Sequence, residues 1–273
     1  LLGAQRGAHG PSTWLDRIVD AQCAWLTAPD NALGTDNQLM LFWRARQLEA
    51  AALLHAGGVS DPHLYADALP PSSRSTRDAD PPAPPLVLEW RRAVREWPCA
   101  LFAFGVPSSE AVDVLVGVGV PFVEMGAGTG YWARLLRARG VSVVAFDAEP
   151  PERTLPGSNE FHGGCMTFVE VEQGEPNILS EPRWRGHALL LCYPPPRSKM
   201  ALACLRNFCG ELFAHVGEWL GDTGSCAFER HLLSHWELIR REPLPLWGDT
   251  SDDLSLWRRR AEPLPKAGGS HPL

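Results

Sequence analysis

PFVEMGAGTGYWARLLRARGVSVVAFD, residues 121–147, carries four structural signals in one continuous stretch. PFVEM (121–125) is an apolar run that stops at a glycine-rich turn, which predicts a buried strand. YWARLLRARG (131–140) has helical periodicity and places Gly140 where a helix ends in a left-handed residue. VSVVAFD (141–147) is a second apolar, β-branched run. Two such strands joined by one helix make a parallel, right-handed βαβ unit. The turn between them, Glu124-Met125-Gly126-Ala127-Gly128-Thr129-Gly130, then lies at the carboxyl end of the first strand. Ligands of open α/β sheets bind there. Glycines allow positive φ and close approach to the backbone. Asp147 closes the second strand and can accept from both ribose hydroxyls of an adenosyl ligand. Its alternative role is to cap the following loop. An acid such as Glu124, ending an otherwise apolar strand, is costly unless it is paired or used.

Two cofactor readings compete for this turn. A dinucleotide fingerprint, G-x-G-x-x-G, presents a helix N-terminus to a pyrophosphate. Counted from Gly126 it needs glycine at 131, where Tyr131 stands. The turn reads E-x-G-x-G-x-G instead. In that form, with Asp147 following, it resembles the first motif of the class I S-adenosylmethionine-dependent methyltransferases over about residues 121–260. EMGAGTGYWARLL, AFDAEP, NEFHG and LLLCYPPP together resemble an uncharacterised methyltransferase-like family. The resemblance implies a Rossmann-like, doubly wound, seven-stranded and mostly parallel sheet, with S-adenosylmethionine as cofactor. It places Glu124 near the cofactor's amino-acid end, the glycines beneath the cofactor, and Asp147 at the ribose. The expected cofactor-binding set is Glu124, Gly126, Ala127, Gly128, Gly130, Tyr131, Trp132, Asp147 and Cys192. For Trp132, core packing is the alternative.

Leu189 to Cys192 form an apolar run that enters Tyr193-Pro194-Pro195-Pro196. In chain order this is the fourth strand, beside the glycine-rich one. Amino-methyltransferases that act on bases or glutamine carry Asp/Asn-Pro-Pro-aromatic at this place. This sequence resembles that motif but has Tyr193 at the Asp/Asn position and Pro196 at the aromatic one. The Tyr193 and Pro194 carbonyls remain as acceptors for an amine, and the Tyr193 ring as a platform for a flat substrate. Tyr193, Pro194 and His162 form the candidate catalytic set, His162 because imidazole titrates near neutrality. Pro195, Glu218 and Trp219 are expected on the substrate side. The plain alternatives are a structural turn at Tyr193, an incidental loop histidine, and capping or packing at Glu218 and Trp219. Arg258-Arg259-Arg260 reads as a solvated strand end rather than a phosphate contact.

Around this centre, residues 12–56 read as helical and 61–85 as a proline-rich linker, with a helix over about 87–97 and another opened by Ser108 or Ser109. Strands are expected at 166–172, 187–193, 212–218, 236–243 and 253–257, with helices at 198–208 and 222–235. The predicted division is an N-terminal helical extension and linker over 1–85, a Rossmann-like domain over 86–262, and a tail over 263–273. A net charge of -7 across 273 residues gives no support to a general nucleic-acid partner. No apolar run reaches the roughly 18 residues that span a bilayer, so no membrane partner is expected. Residues 1–10 lack a signal-peptide pattern. Seven cysteines without CxxC spacing predict buried, reduced thiols and a cytoplasmic location. No metal-ligand spacing stands out, so no metal is expected. The leading reading is a methyltransferase with an unknown methyl acceptor. A cofactor-binding pseudoenzyme and a nucleotide-binding oxidoreductase are the alternatives.

Overall fold

A computed structural model of the chain describes residues 14–29, 36–56, 94–151, 159–219, 221–247 and 250–262. Its strands are β1 (Phe122–Met125), β2 (Val143–Asp147), β3 (Val171–Gln173), β4 (Ala188–Cys192), β5 (Leu212–Glu218), β6 (Trp236–Pro243) and β7 (Asp252–Arg259). The helices are α1 (Trp14–Thr27), α2 (Gln38–Ala56), α3 (Ser109–Val116), α4 (Tyr131–Ala138), α5 (Met200–Asn207) and α6 (Cys226–His235). Residues 94–101 are also helical. The seven strands form one sheet in the order β3-β2-β1-β4-β5-β7-β6. β1 pairs in parallel with β2 and β4, and β4 with β5, whereas β7 runs antiparallel to both β5 and β6. This is the expected Rossmann-like, doubly wound α/β sheet.

Side chains along the central strands alternate between two apolar layers, as the two-residue period of a strand requires. Leu189 and Leu191 of β4 join one cluster with Leu205, Phe213 and Phe228. Ala188 and Leu190 join the other, with Trp132, Leu136 and Leu115. Burial on both faces explains why the sequence shows continuous apolar runs rather than alternation. The N-terminal helices belong to the second cluster. Trp25, Leu39, Met40 and Trp43 are buried in it, and Trp43 Nε1 donates to Leu246 O at 2.8 Å. Gln22 Nε2 donates to Leu244 O at 2.9 Å.

Several boundaries differ from expectation, each for a local reason. The helix expected over 12–56 is two helices. α1 ends two residues before Pro29, and α2 starts after Asn37, whose Oδ1 accepts from Met40 N at 3.2 Å. Of the expected strand 166–172 only 171 and 172 pair with β2, and the strand runs on to 173. Phe168 N donates instead to Thr129 O at 2.7 Å, so the chain before β3 is tied to the glycine turn. α6 begins at Cys226 rather than 222, because Gly224 has φ +70° and Ser225 supplies the N-cap. β7 extends past both ends of the expected 253–257. Ser108 caps α3 as expected, accepting from Ala111 N at 3.1 Å. The linker at 61–85, the tail at 263–273 and residues 87–93 of the helix expected over 87–97 lie outside the described residues. No helix among the described residues is long and apolar enough to cross a membrane.

Candidate functional site

Strand order reverses between β1 and β4: the chain steps from β1 outward to β2 and β3, then returns to β4 on the other side. The carboxyl ends of β1, β2 and β4 therefore open on a crevice. A cavity of about 1240 Å³ fills it, lined by the glycine turn, Asp147, His162 and the Tyr193–Lys199 segment. Ligand pockets commonly measure about 300–1,000 Å³, so this one is large enough for a cofactor and a second small molecule.

The turn adopts the conformations its glycines permit, with φ of +68° at Gly126, +53° at Gly128 and +71° at Gly130. What an added Cβ would meet separates their roles. At Gly126 it would collide with the Met200 side chain, and at Gly128 with the His162 ring. Both of those neighbours line the cavity. At Gly130 it would lie 2.6 Å from Val169 Cγ2. Gly130 is thus a packing glycine outside the cavity lining, a correction to its place in the cofactor set. Ala127 lines the cavity and continues the β1–β2 pairing, its N–H donating to Phe146 O at 3.0 Å.

Two carboxylates flank this turn. Glu124 is fully buried at the end of β1, and its Oε2 has no hydrogen-bond partner among the described residues. Burial pushes its pKa up to about 8, opposed by the Ala133 backbone N–H. Asp147 is half-buried and pinned, with Oδ2 accepting from Gly128 N and Oδ1 from Glu149 N, each at 2.9 Å. The capping role is real, yet a carboxylate has about four acceptor positions. Two remain for a ligand.

The aromatic pair that opens α4 is mostly structural. Tyr131 sits at the cavity edge, but its hydroxyl donates to Asn37 Oδ1 at 3.2 Å and accepts from Leu39 N at 3.1 Å. That hydroxyl therefore serves the N-terminal helices, which leaves the ring as the part of Tyr131 at the cavity. Trp132 lines the cavity while its indole N–H donates to Gly105 O at 3.1 Å. Cys192 lines the cavity as well, and burial holds its thiol well above the usual range, hence protonated.

At the end of β4, Tyr193 is the only non-glycine with positive φ among the described residues, at +52°. Its ring faces Phe104 with centroids 5.5 Å apart. Its hydroxyl donates to Asp252 Oδ1 at 2.7 Å and lies 3.1 Å from Glu218 Oε1, and Arg95 Nη2 approaches it at 3.4 Å. Burial, then the charge of Glu218, raises Asp252 to about 7, and burial raises Glu218 too. Glu218 stands behind Tyr193 rather than in the cavity lining, and Trp219 packs on Trp257 at 5.5 Å. Both are corrections to the substrate-side set: the Glu218 carboxylate faces the Tyr193 and Ser251 hydroxyls, and the Trp219 ring faces Trp257. Pro194 and Pro195 do line the cavity. The Pro194 carbonyl already accepts from Gly224 N at 2.7 Å, which weakens its expected role as an amine acceptor.

His162 reaches the cavity from the loop after β2. Asn159 folds that loop, its Oδ1 accepting from Phe161 N at 3.0 Å and His162 N at 2.8 Å. His162 Nδ1 lies 2.8 Å from Ala100 O. A carbonyl only accepts, so Nδ1 carries the proton and Nε2 keeps a free lone pair. Burial lowers the pKa of this imidazole.

Sequence reasoning missed Arg95, Phe104, Met200 and Asp252. Their signal is spatial: Arg95, Phe104 and Asp252 come from a helix, a loop and strand β7 to meet Tyr193 after β4, and Met200 of α5 meets Gly126 after β1. Arg259 serves neither solvent nor phosphate: its guanidinium donates to Gly210 O at 3.0 Å and Phe208 O at 2.6 Å. Of the thiols expected to be buried, Cys99 and Cys204 are buried, Cys165, Cys192 and Cys209 are half-buried, and Cys226 is exposed. No group of three or more His, Cys, Asp or Glu side chains among the described residues could hold a metal ion.

No protein-family model matches the chain, and no curated protein matches it. Solved structures do. Magnesium protoporphyrin IX methyltransferase from Synechocystis PCC 6803, with bound SAM, is 10% identical, with 79% of this chain and 97% of that one covered and a TM-score of 0.39. The 1,6-didemethyltoxoflavin-N1-methyltransferase from Burkholderia thailandensis is 14% identical, with 67% and 93% covered and a TM-score of 0.39.

Proposed function

We propose that this chain is an S-adenosylmethionine-dependent methyltransferase acting on a flat acceptor. One observation carries the reading: a single cavity at the sheet's switch point joins the buried, unpartnered Glu124 Oε2 to Asp147 across a turn of left-handed glycines. The residues fit the cofactor. Glu124 offers a desolvated oxygen to an ammonium group, whose charge favours the ionised carboxyl and offsets its burial. Asp147 retains acceptor positions for ribose hydroxyls. When bound, S-adenosylmethionine supplies a methyl group made electrophilic by its sulfonium.

The remaining work falls to this chain's residues. Phe104, Tyr193 and the prolines line the same cavity as the glycine turn. Proline's fixed φ and the Asp252–Tyr193 hydrogen bond hold that wall rigid. Alignment of this kind supplies ~7–11 kcal/mol in favourable systems. Tyr193 and Pro194 direct their strongest polar groups inward, to Asp252 and Gly224. That leaves no side-chain oxygen at the place where amino-methyltransferases hold an amine, and it disfavours an amine acceptor.

The same observation favours one second reading, a protein that binds the cofactor without transferring methyl. Incubation with tritiated S-adenosylmethionine, with label followed into RNA, protein and small-molecule fractions, separates the two. Label in one fraction supports transfer. Tight S-adenosylmethionine binding with no label anywhere supports the second reading. Binding of NAD in preference to S-adenosylmethionine sinks both.

A further inference from the structure

Gly128 is touched from two sides. Its N–H donates to Asp147 Oδ2 at 2.9 Å, and its Cα face lies against the His162 ring, so that an added Cβ would strike Nε2. Two acceptors thus bracket one glycine at the floor of the cavity. One is a carboxylate already fixed by two backbone donors. The other is an imidazole nitrogen whose tautomer is set by the Ala100 carbonyl, 2.8 Å from Nδ1. Asn159 fixes the loop in turn, its Nδ2 donating to Glu149 O at 2.7 Å, beside the same Glu149 N–H that holds Asp147. Backbone hydrogen bonds therefore couple the positions of the two acceptors. A vicinal diol presents two donors a short distance apart, which two acceptors beside one glycine can receive.

Resting on the cofactor reading above, we infer that His162 is a cofactor-binding residue whose Nε2 shares the ribose diol of an adenosyl ligand with Asp147. The His162 ring packs on the turn between β1 and α4 at Gly128 and, edge on, against Phe104, with centroids 5.9 Å apart.

The inference gives binding a pH signature. Only neutral imidazole offers Nε2 as an acceptor. The charged group that acts on it is Asp147 at the end of β2; the helical segment 94–101, which meets it at Ala100, carries Arg95, Glu96 and Cys99, and Glu160 lies in its own loop. Burial lowers the His162 pKa, and the Ala100 carbonyl and Asp147 oppose it. The neutral form therefore persists below the ordinary imidazole value of about 6.5, and affinity falls only in more acid solution.

The test uses the full chain, S-adenosylhomocysteine and its 2′,3′-dideoxy analogue, with calorimetry from about pH 5 to about pH 8. His162→Ala should weaken S-adenosylhomocysteine binding about fivefold at the upper pH, a typical loss for one neutral hydrogen bond. It should leave the dideoxy analogue within about twofold and flatten the acid limb of the affinity profile. His162→Gln, which keeps an acceptor, should restore much of the affinity without the acid limb. Melting curves establish that the variants are folded. An equal loss with both probes overturns the inference, because His162 then only packs on Gly128. So does an unchanged affinity. A wild-type protein that binds neither probe overturns the cofactor reading itself.

Discussion

Glu124 sits at the end of an apolar strand with one oxygen unsatisfied and a pKa of about 8. Folded, it holds its proton more tightly than in the unfolded chain, where an ordinary carboxyl titrates near 4.5. Its contribution to stability is therefore complete below about 4.5 and is lost as pH rises through about 8. Glu124→Gln has nearly the same shape and never ionises. Melting temperatures of the ligand-free proteins should show the variant gaining on wild type from about pH 5 to about pH 9. A difference that does not change with pH would place the carboxylate in solvent. Tyr193 makes the complementary prediction. Tyr193→Ala should lower methyl transfer by ~10²-fold while leaving S-adenosylhomocysteine affinity within about threefold. Full transfer with the alanine variant would make the motif a strand terminator. Glu124 and Asp147 were legible in the sequence because each ends an apolar run. Asp252 and Arg95 were not: 59 residues separate Tyr193 from Asp252, and 98 separate it from Arg95. Only the β5–β7 pairing and the placement of the 94–101 helix bring them to the same phenol.

Among the elements, the strand–turn–helix unit of β1 and α4 shows why three glycines in one motif are not equivalent. All have positive φ, which costs a residue with a side chain roughly 1–2 kcal/mol. At Gly130 the added methyl also meets Val169, a β-branched neighbour with little freedom to move. Gly130→Ala should therefore destabilise the fold by about 2–4 kcal/mol, yet leave S-adenosylhomocysteine affinity of the folded protein unchanged within about twofold. A specific loss of affinity at full stability would return Gly130 to the cofactor set. The sequence conveyed the order of elements because burial on both sheet faces writes apolar runs. It misplaced β3 and the start of α6 because those ends answer to tertiary partners: Thr129 draws Phe168 away from β2, and Gly224 closes the loop onto Pro194. The helical 12–56 region was legible as helix, but its break depended on Pro29 and on a cap at Asn37, short signals within a long periodic stretch.

Across the whole molecule, the doubly wound order is what makes a site from residues that are far apart in sequence. The reversal between β1 and β4 opens the cavity, and the parallel register β1–β2 sets Glu124 opposite Ala145, two residues before Asp147. The N-terminal helices close the apolar layer beneath it through Trp25, Leu39, Met40 and Trp43. Tyr131 links that layer to the cavity, its ring at the cavity edge and its hydroxyl among the N-terminal residues. The central claim is that this crevice holds S-adenosylmethionine with Asp147 at its ribose. Calorimetry with S-adenosylhomocysteine, on wild type and Asp147→Ala, tests it most directly, with circular dichroism confirming that both are folded. The account predicts saturable binding to wild type and a loss of about 1.5–3 kcal/mol in the variant, a weakening of ~10–150-fold. No binding to wild type, or the same affinity in a folded Asp147→Ala protein, would contradict it.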